Sequence, residues 1–270
     1  MTDVQQRICL GVTYNGADFH GWQYQSENVA TVQQCLEKAL SKVADHHVRV
    51  TCAGRTDSGV HATWQVVHFD TQSSRPLKAW VFGVNAHLPD SVCVTWARSV
   101  PADFDARFSA TARRYFYLIH NHPVRSALMA ELVSRDHRPL DADVMNEAAA
   151  ALPGERDFTS FRAANCQSNT PMRNVHHARV QRRGDLIVID IAANAFLHHM
   201  VRNIAGVLQD IGAGEKPVSW MAELLELRDR TRAGVTAPPN GLYLVDVTYP
   251  EDFGLPAGPG LPHLYGLLDA

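Results

Sequence analysis

Hydrophobic and polar positions change period several times along this chain of 270 residues. Residues 7–14 alternate loosely between apolar and polar and read as a strand. After a glycine-broken loop, Val32, Cys35, Leu36, Ala39, Leu40 and Val43 recur at helical spacing, which buries one face of a helix. Thr31 is its candidate N-cap, and Gln34 three positions on would complete a capping box. Residues 48–52 and 65–69 read as strands flanking a polar loop, 77–88 as a helix, and 91–99 as a strand with Val92, Val94 and Trp96 alternating inward.

The second half repeats this rhythm at coarse grain. Residues 113–120 read as a strand and the alanine-rich 141–152 as a helix. Residues 175–181 and 186–192 form a strand pair around Arg183-Gly184-Asp185. Residues 196–211 and 218–227 have helical spacing, and Leu242–Thr248 reads as a last strand. Several neighbouring strands are joined by connections too short for parallel crossovers. The expectation is therefore an α+β fold of two pseudo-equivalent halves, with mixed, largely antiparallel sheets flanked by helices. The expected division is 1–106 and 107–270. The Pro/Gly-rich tail from Leu255 should be extended, packing back through Leu261, Tyr265 and Leu267.

Composition adds what patterning cannot. Apolar residues make up 46% and charged residues 20%, which suits a folded chain rather than a disordered one. No stretch approaches the ~18 uninterrupted apolar residues of a membrane helix, and the first ten residues lack the features of a signal peptide. Five scattered cysteines without C-x-x-C spacing argue against a disulfide framework or zinc ribbon and for a cytoplasmic location. The net charge of −3 speaks against a nucleic-acid partner, but its distribution does not. Residues 162–184 carry Arg162, Arg173, Arg179, Arg182 and Arg183 with no acid, and 107–125 carry four arginines with none. Arginine forks suit phosphate, so binding through these stretches would be electrostatic, with Arg173 and Arg183 as candidate phosphate contacts.

Fourteen histidines invite a metal, but the pairs His46-His47, His176-His177 and His198-His199 are adjacent, whereas chelating pairs sit at i,i+2 or i,i+4. Neither a P-loop nor a dinucleotide fingerprint nor a nucleophile elbow occurs, so neither cofactor nor metal is expected. What stands out is the loop Ala53-Gly54-Arg55-Thr56-Asp57-Ser58-Gly59-Val60-His61-Ala62. Asp and Ser before Gly commonly make plain turns. This loop is long for a hairpin, however, and in an extended stretch Arg55 faces the same way as Asp57 and favours its charged form.

GRTDSGVHA resembles the signature loop of the tRNA pseudouridine synthase A family. Further blocks similar to that family follow in the same order: Phe104-Asp105-Ala106-Arg107-Phe108-Ser109-Ala110 with Ala112-Arg113-Arg114-Tyr115, then Asp157-Phe158-Thr159-Ser160-Phe161, Arg173-Asn174-Val175, and Phe196-Leu197-His198-His199-Met200-Val201-Arg202-Asn203. The resemblance implies a pseudouridine synthase fold with a catalytic cleft between its halves. It also implies an isomerase that converts uridine to pseudouridine at positions 38, 39 and 40 of the tRNA anticodon stem-loop, without a cofactor. Asp57 matches the catalytic carboxylate, Tyr115 the aromatic that stacks on the uracil, Arg55 the side chain that holds the flipped-out state, and Arg202 the partner of the carboxylate. Phe104, Asp105, Ala106, Arg107 and Phe108, and Asn165, Cys166, Gln167, Ser168 and Asn169, match segments that contact tRNA. A homodimer is implied, with no membrane association.

Two readings from other classes compete. Asp57-Ser58-Gly59 also resembles the D-[ST]-G of aspartic proteases, but Arg55 opposes the shared proton that such chemistry needs. An RNA-binding module without catalysis would have no use for Asp57, Tyr115 and Arg202 together. Cys52, beside the loop, reads as a small buried strand residue rather than a nucleophile.

Overall fold

The computed structural model describes residues 6–258, and the expected packing of Leu261, Tyr265 and Leu267 lies outside them. The chain forms two compact units, one comprising the chain up to Thr111 together with the chain from Tyr243, the other Ala112–Leu242. The division differs from the expected one at both ends. The first boundary falls five residues after 106. The last strand, expected in the second half, belongs to the first unit because it pairs in parallel with a strand there (Tyr243 with His61, Leu244 with Ala62).

In the first unit, β1 (Gln6–Tyr14) lies antiparallel between β3 (His61–Thr71) and β4 (Val92–Val100). The short β2 (Thr51–Cys52) pairs with β3, whose other neighbour in this unit is the last strand, β10 (Leu242–Thr248). Residues 8–12 of β1 are all buried. That accounts for the loose alternation: a strand covered on both faces reads as a nearly continuous apolar run. Helix α1 (Val32–Ala44) begins at Thr31, whose hydroxyl accepts from the Gln34 N–H at 3.3 Å. The reciprocal half of the capping box is replaced, since the Gln34 amide donates to the Glu27 carbonyl instead. Residues 48–50 are not laddered as expected. The Val48 and Val50 N–H groups donate to Ser41 Oγ and Glu37 Oε1, so side chains of α1 satisfy this backbone and only Thr51 and Cys52 pair. The helix expected over 77–88 contains a π-turn at Ala79–Gly83 that buries Trp80 edge-on against Phe69.

In the second unit, β5 (Ala112–Asn121), β9 (Leu186–Ala193), β8 (Met172–Arg183) and β7 (Gly154–Asp157) are antiparallel in that order, and β6 (Ser134–Asp136) lies parallel to β5. Gly184, with φ +57°, closes the β8–β9 hairpin. Helices α2 (Ala142–Ala149), α3 (Met200–Gly212) and α4 (Trp220–Leu227) contribute Met145, Ile204, Leu208 and Leu224 to the core. The Asp141 carboxylate caps α2 through the Asp143 and Val144 N–H groups. Helix α3 starts four residues later than its periodicity predicts: His199 has φ +62°, a region rare outside glycine, and Phe196–His198 run outside the helix. The fold is α+β with predominantly antiparallel pairing, as the pattern predicts. No helix among the described residues is long and apolar enough to cross a membrane.

Candidate active site

Residues 53–60 leave β2 and return into β3 without regular hydrogen bonding, so their shape depends on what surrounds them. Burial follows an extended path: Arg55 exposed, Thr56 buried, Asp57 half-buried. Arg55 and Asp57 thus project to one side and Thr56 to the other, as the spacing predicts. Gln65, fully buried on β3, holds the near end by donating to the Gly54 carbonyl (2.6 Å) and accepting from the Gly54 N–H (3.3 Å). The loop's inner side rests on residues 14–22. Tyr14 and Thr56 share a hydroxyl–hydroxyl hydrogen bond of 2.8 Å, the Trp22 N–H donates to the Thr56 carbonyl, and the Phe19 carbonyl accepts from Ser58 Oγ and the Gly59 N–H. Contact is too close for side chains. A Cβ on Gly16 would lie 2.0 Å from the Val60 carbonyl oxygen; one on Gly21, at φ +88°, would lie 2.8 Å from that of Thr56. At the far end His61, buried, accepts the Gly16 N–H through Nδ1 and stacks on Tyr243 at 4.6 Å. Burial pushes the Cys52 thiol up to about 12, which fits a packed strand residue and not a nucleophile.

The segment expected to meet tRNA in this unit divides by burial. Phe104 and Ala106 are fully buried, which differs from the expectation that both are contact residues. Phe104 packs edge-on against Phe253 and His68, and Ala106 has its N–H bound to His68 Nδ1 and its carbonyl to the Tyr249 hydroxyl. The surface of this segment is Asp105, Arg107 and Phe108. The Asp105 carboxylate accepts the N–H groups of Arg107 and Phe108, fixing a tight turn on which Phe108 stands 78% exposed under the Arg107 guanidinium.

In the second unit, Tyr115 lies on β5 opposite Ile191, mostly buried, with its ring edge-to-face on Phe196 at 5.0 Å. Arg202 lies on the first turn of α3. Its Nε–H donates to the Ala237 carbonyl at 2.8 Å and its own carbonyl accepts the Ala237 N–H, so the segment after α4 fixes its direction. Arg230 steadies that segment, donating to Asn203, Thr236 and the Gly234 carbonyl. In the stretch 165–169, Asn165, Gln167 and Asn169 are exposed while Cys166 and Ser168 turn inward. Burial pushes the Cys166 thiol upward, but the N–H groups of Ser168 and His198 and the Arg162 side chain outweigh it and hold the thiol below its ordinary value.

The sequence model of one family, tRNA pseudouridine synthase, matches residues 12–109 and 148–250. The chain is also 61% identical over 250 residues to tRNA pseudouridine synthase A of Pseudoalteromonas atlantica, covering 93% of this chain and 95% of that one. It is 59% identical over 267 residues to the protein of the same name from Pseudomonas aeruginosa, covering 96% and 94%. The chain belongs to the tRNA pseudouridine synthase family. Arg55, Asp57 and Arg202 fall inside the stretches matched to the tRNA pseudouridine synthases, and Tyr115 falls between them.

One expected phosphate contact is otherwise engaged. Arg173 is 9% exposed, and its guanidinium donates to the carbonyls of Thr170 (3.0 Å) and Met172 (2.5 Å) and to Ser168 Oγ (2.6 Å). With Arg162, which donates to the carbonyls of Cys166 and Ser168, it shapes residues 162–172 from within. Arg173→Ala should therefore cost about 2 kcal/mol of stability and leave the salt dependence of tRNA binding unchanged. Loss of a true phosphate contact would lower that slope by about 0.9. Titrations at several salt concentrations beside thermal unfolding distinguish the two.

Proposed function

We propose that this chain isomerises uridine to pseudouridine at positions 38, 39 and 40 of the tRNA anticodon stem-loop, with Asp57 as the reacting carboxylate. The observation that carries the reading is the Asp57 loop. The side chain is half-buried on a turn anchored through Gly54, Thr56 and Ser58, in a chain belonging to the tRNA pseudouridine synthase family. The chemistry is balanced without a redox partner or group donor. The N1–C1′ bond breaks, a C5–C1′ bond forms, C5 gives up its hydrogen and N1 gains one. The reaction as proposed needs neither metal nor organic cofactor.

A stacked uridine is out of reach of any carboxylate, so the base leaves the helix at a cost of a few kcal/mol. Arg55, exposed beside Asp57, is assigned to holding the flipped-out state. Tyr115 is assigned to the uracil face, where stacking is worth about 1–3 kcal/mol, and Arg202 to supporting the carboxylate. Asp105, Arg107 and Phe108, with residues 165–169, are assigned to the RNA. The working form is proposed to be a cytoplasmic homodimer.

The test is an unmodified, prefolded anticodon stem-loop incubated with the protein in chelator, followed by assay for pseudouridine and by light scattering. The expected outcome is stoichiometric pseudouridine from a particle twice the chain mass of 29.9 kDa. No product from folded protein overturns the activity, loss of product on chelation overturns the metal-free route, and a monomer mass overturns the dimer.

A further inference from the structure

We propose that Tyr14 and Thr56 form a positioning device for Asp57, so that the hydroxyl–hydroxyl contact between β1 and the loop sets the rate of the chemical step. The inference rests on the assignment of Asp57 above. Thr56 is the residue next to Asp57 and points to the other side of the backbone, so whatever fixes the Thr56 side chain fixes the rotation of the peptide that carries the carboxylate. Its Oγ1 meets the Tyr14 hydroxyl at 2.8 Å in a buried setting, and Gln65 Nε2 donates to that hydroxyl at 3.4 Å while also gripping the Gly54 carbonyl. Gly54 precedes Arg55 and Thr56 follows it, so one fully buried amide ties both neighbours of Arg55 to a single hydroxyl on a central strand. Tyr14 is itself held: it is the last residue of β1, 4% exposed, with its ring tilted against Trp22 at 5.9 Å.

A reacting group must be kept within about 0.5 Å of its productive position, and displacement near 1 Å costs on the order of a hundredfold in rate. A residue acting only through Asp57 changes turnover without touching RNA affinity, which separates it from a residue that holds the fold or grips the substrate.

The experiment compares Tyr14→Phe, Thr56→Val and Thr56→Ser with wild type in single-turnover pseudouridine formation, tRNA titration and thermal unfolding. Phe keeps the ring against Trp22 and Val keeps the shape of Thr, while Ser keeps the hydroxyl. The expected result is a rate roughly ten- to a hundredfold lower in Tyr14→Phe and Thr56→Val, with tRNA affinity within about twofold. Thr56→Ser restores most of the rate, and the Tyr14→Phe/Thr56→Val double variant is no slower than the worse single one, because both remove one contact. Rates near wild type in Tyr14→Phe, equal loss in Thr56→Ser and Thr56→Val, or fully additive losses would overturn the proposal. Absence of product from the wild type overturns the activity itself, a separate result.

Discussion

Asp57→Asn is expected to abolish pseudouridine formation and to leave tRNA binding within about tenfold, roughly 1.4 kcal/mol. The amide has the shape of the carboxylate and part of its hydrogen-bonding capacity, but neither its charge nor its basicity. Whether the carboxylate bonds to the substrate or takes a proton from it, Asn cannot replace it. The anchors of the loop explain why the loss is confined to chemistry. They are made by Gln65, Thr56, Ser58, Gly59 and His61, none of which the substitution alters. Arg55→Ala is expected to behave differently, impairing extrusion of the base while the carboxylate stays in place. The deciding measurement is single-turnover formation beside a binding titration on one preparation. Near-normal turnover in folded Asp57→Asn would reduce this aspartate to a turn residue.

The largest loss of stability is expected from Arg138→Ala. Arg138 clasps Asp136 through both Nε and Nη2 and reaches Asp210 and Glu215 through Nη1 at 3.1 and 2.9 Å. The Asp136 side chain is 5% exposed and also accepts from Gln209 and from the Arg138 N–H. Truncating the arginine leaves a buried carboxylate short of its partners, at about 3 kcal/mol. Burial pushes the Asp136 carboxyl upward, but the hydrogen bonds and charge of Arg138 outweigh it and hold the group below the usual carboxylate range. In the wild type this stabilisation is therefore complete above the ordinary aspartate value near 4 and is lost as pH falls through the lower, folded-state value. In the variant burial is opposed by Gln209 and the backbone N–H of residue 138 without the guanidinium, so protonation relieves the carboxylate. The gap between the two proteins in urea unfolding is expected to narrow from pH 7 to pH 4.5; a constant gap would mean that the charge of Asp136 is not the cause.

Local signals were legible in the chain and long-range ones were not. The periodicity of Leu36, Ala39 and Leu40 and the hydroxyl of Thr31 located α1 because both act within a few residues. Residues 48–50 looked like a strand since nothing local shows that Ser41 and Glu37 would take their N–H groups. Phe196 fits the helical spacing of α3 but packs on Tyr115 instead. At the site, the Asp57 loop was legible as a motif because its chemistry lies in consecutive residues. Tyr14 and Gln65, which shape it, come from strands separated by many residues and look like ordinary alternation. Arg173 was read by charge, whereas its burial, which three nearby acceptors permit, decides its role.

The return of β10 to the first unit has a consequence for how the protein is made. Residues from Tyr243 onward are synthesised after the whole of the second unit, yet they belong with residues synthesised before it. At 5–20 residues per second the intervening 112–242 takes on the order of ten seconds to synthesise. Throughout that interval the stretch of β3 at His61 and Ala62 has an open edge, of the kind that invites mispairing. The second unit has all its strands before the first does. A nascent chain that stops short of Tyr243 thus has the Asp57 loop on an unfinished sheet and lacks the ring that stacks on His61, so the sheet that carries this loop is completed only once β10 has been made.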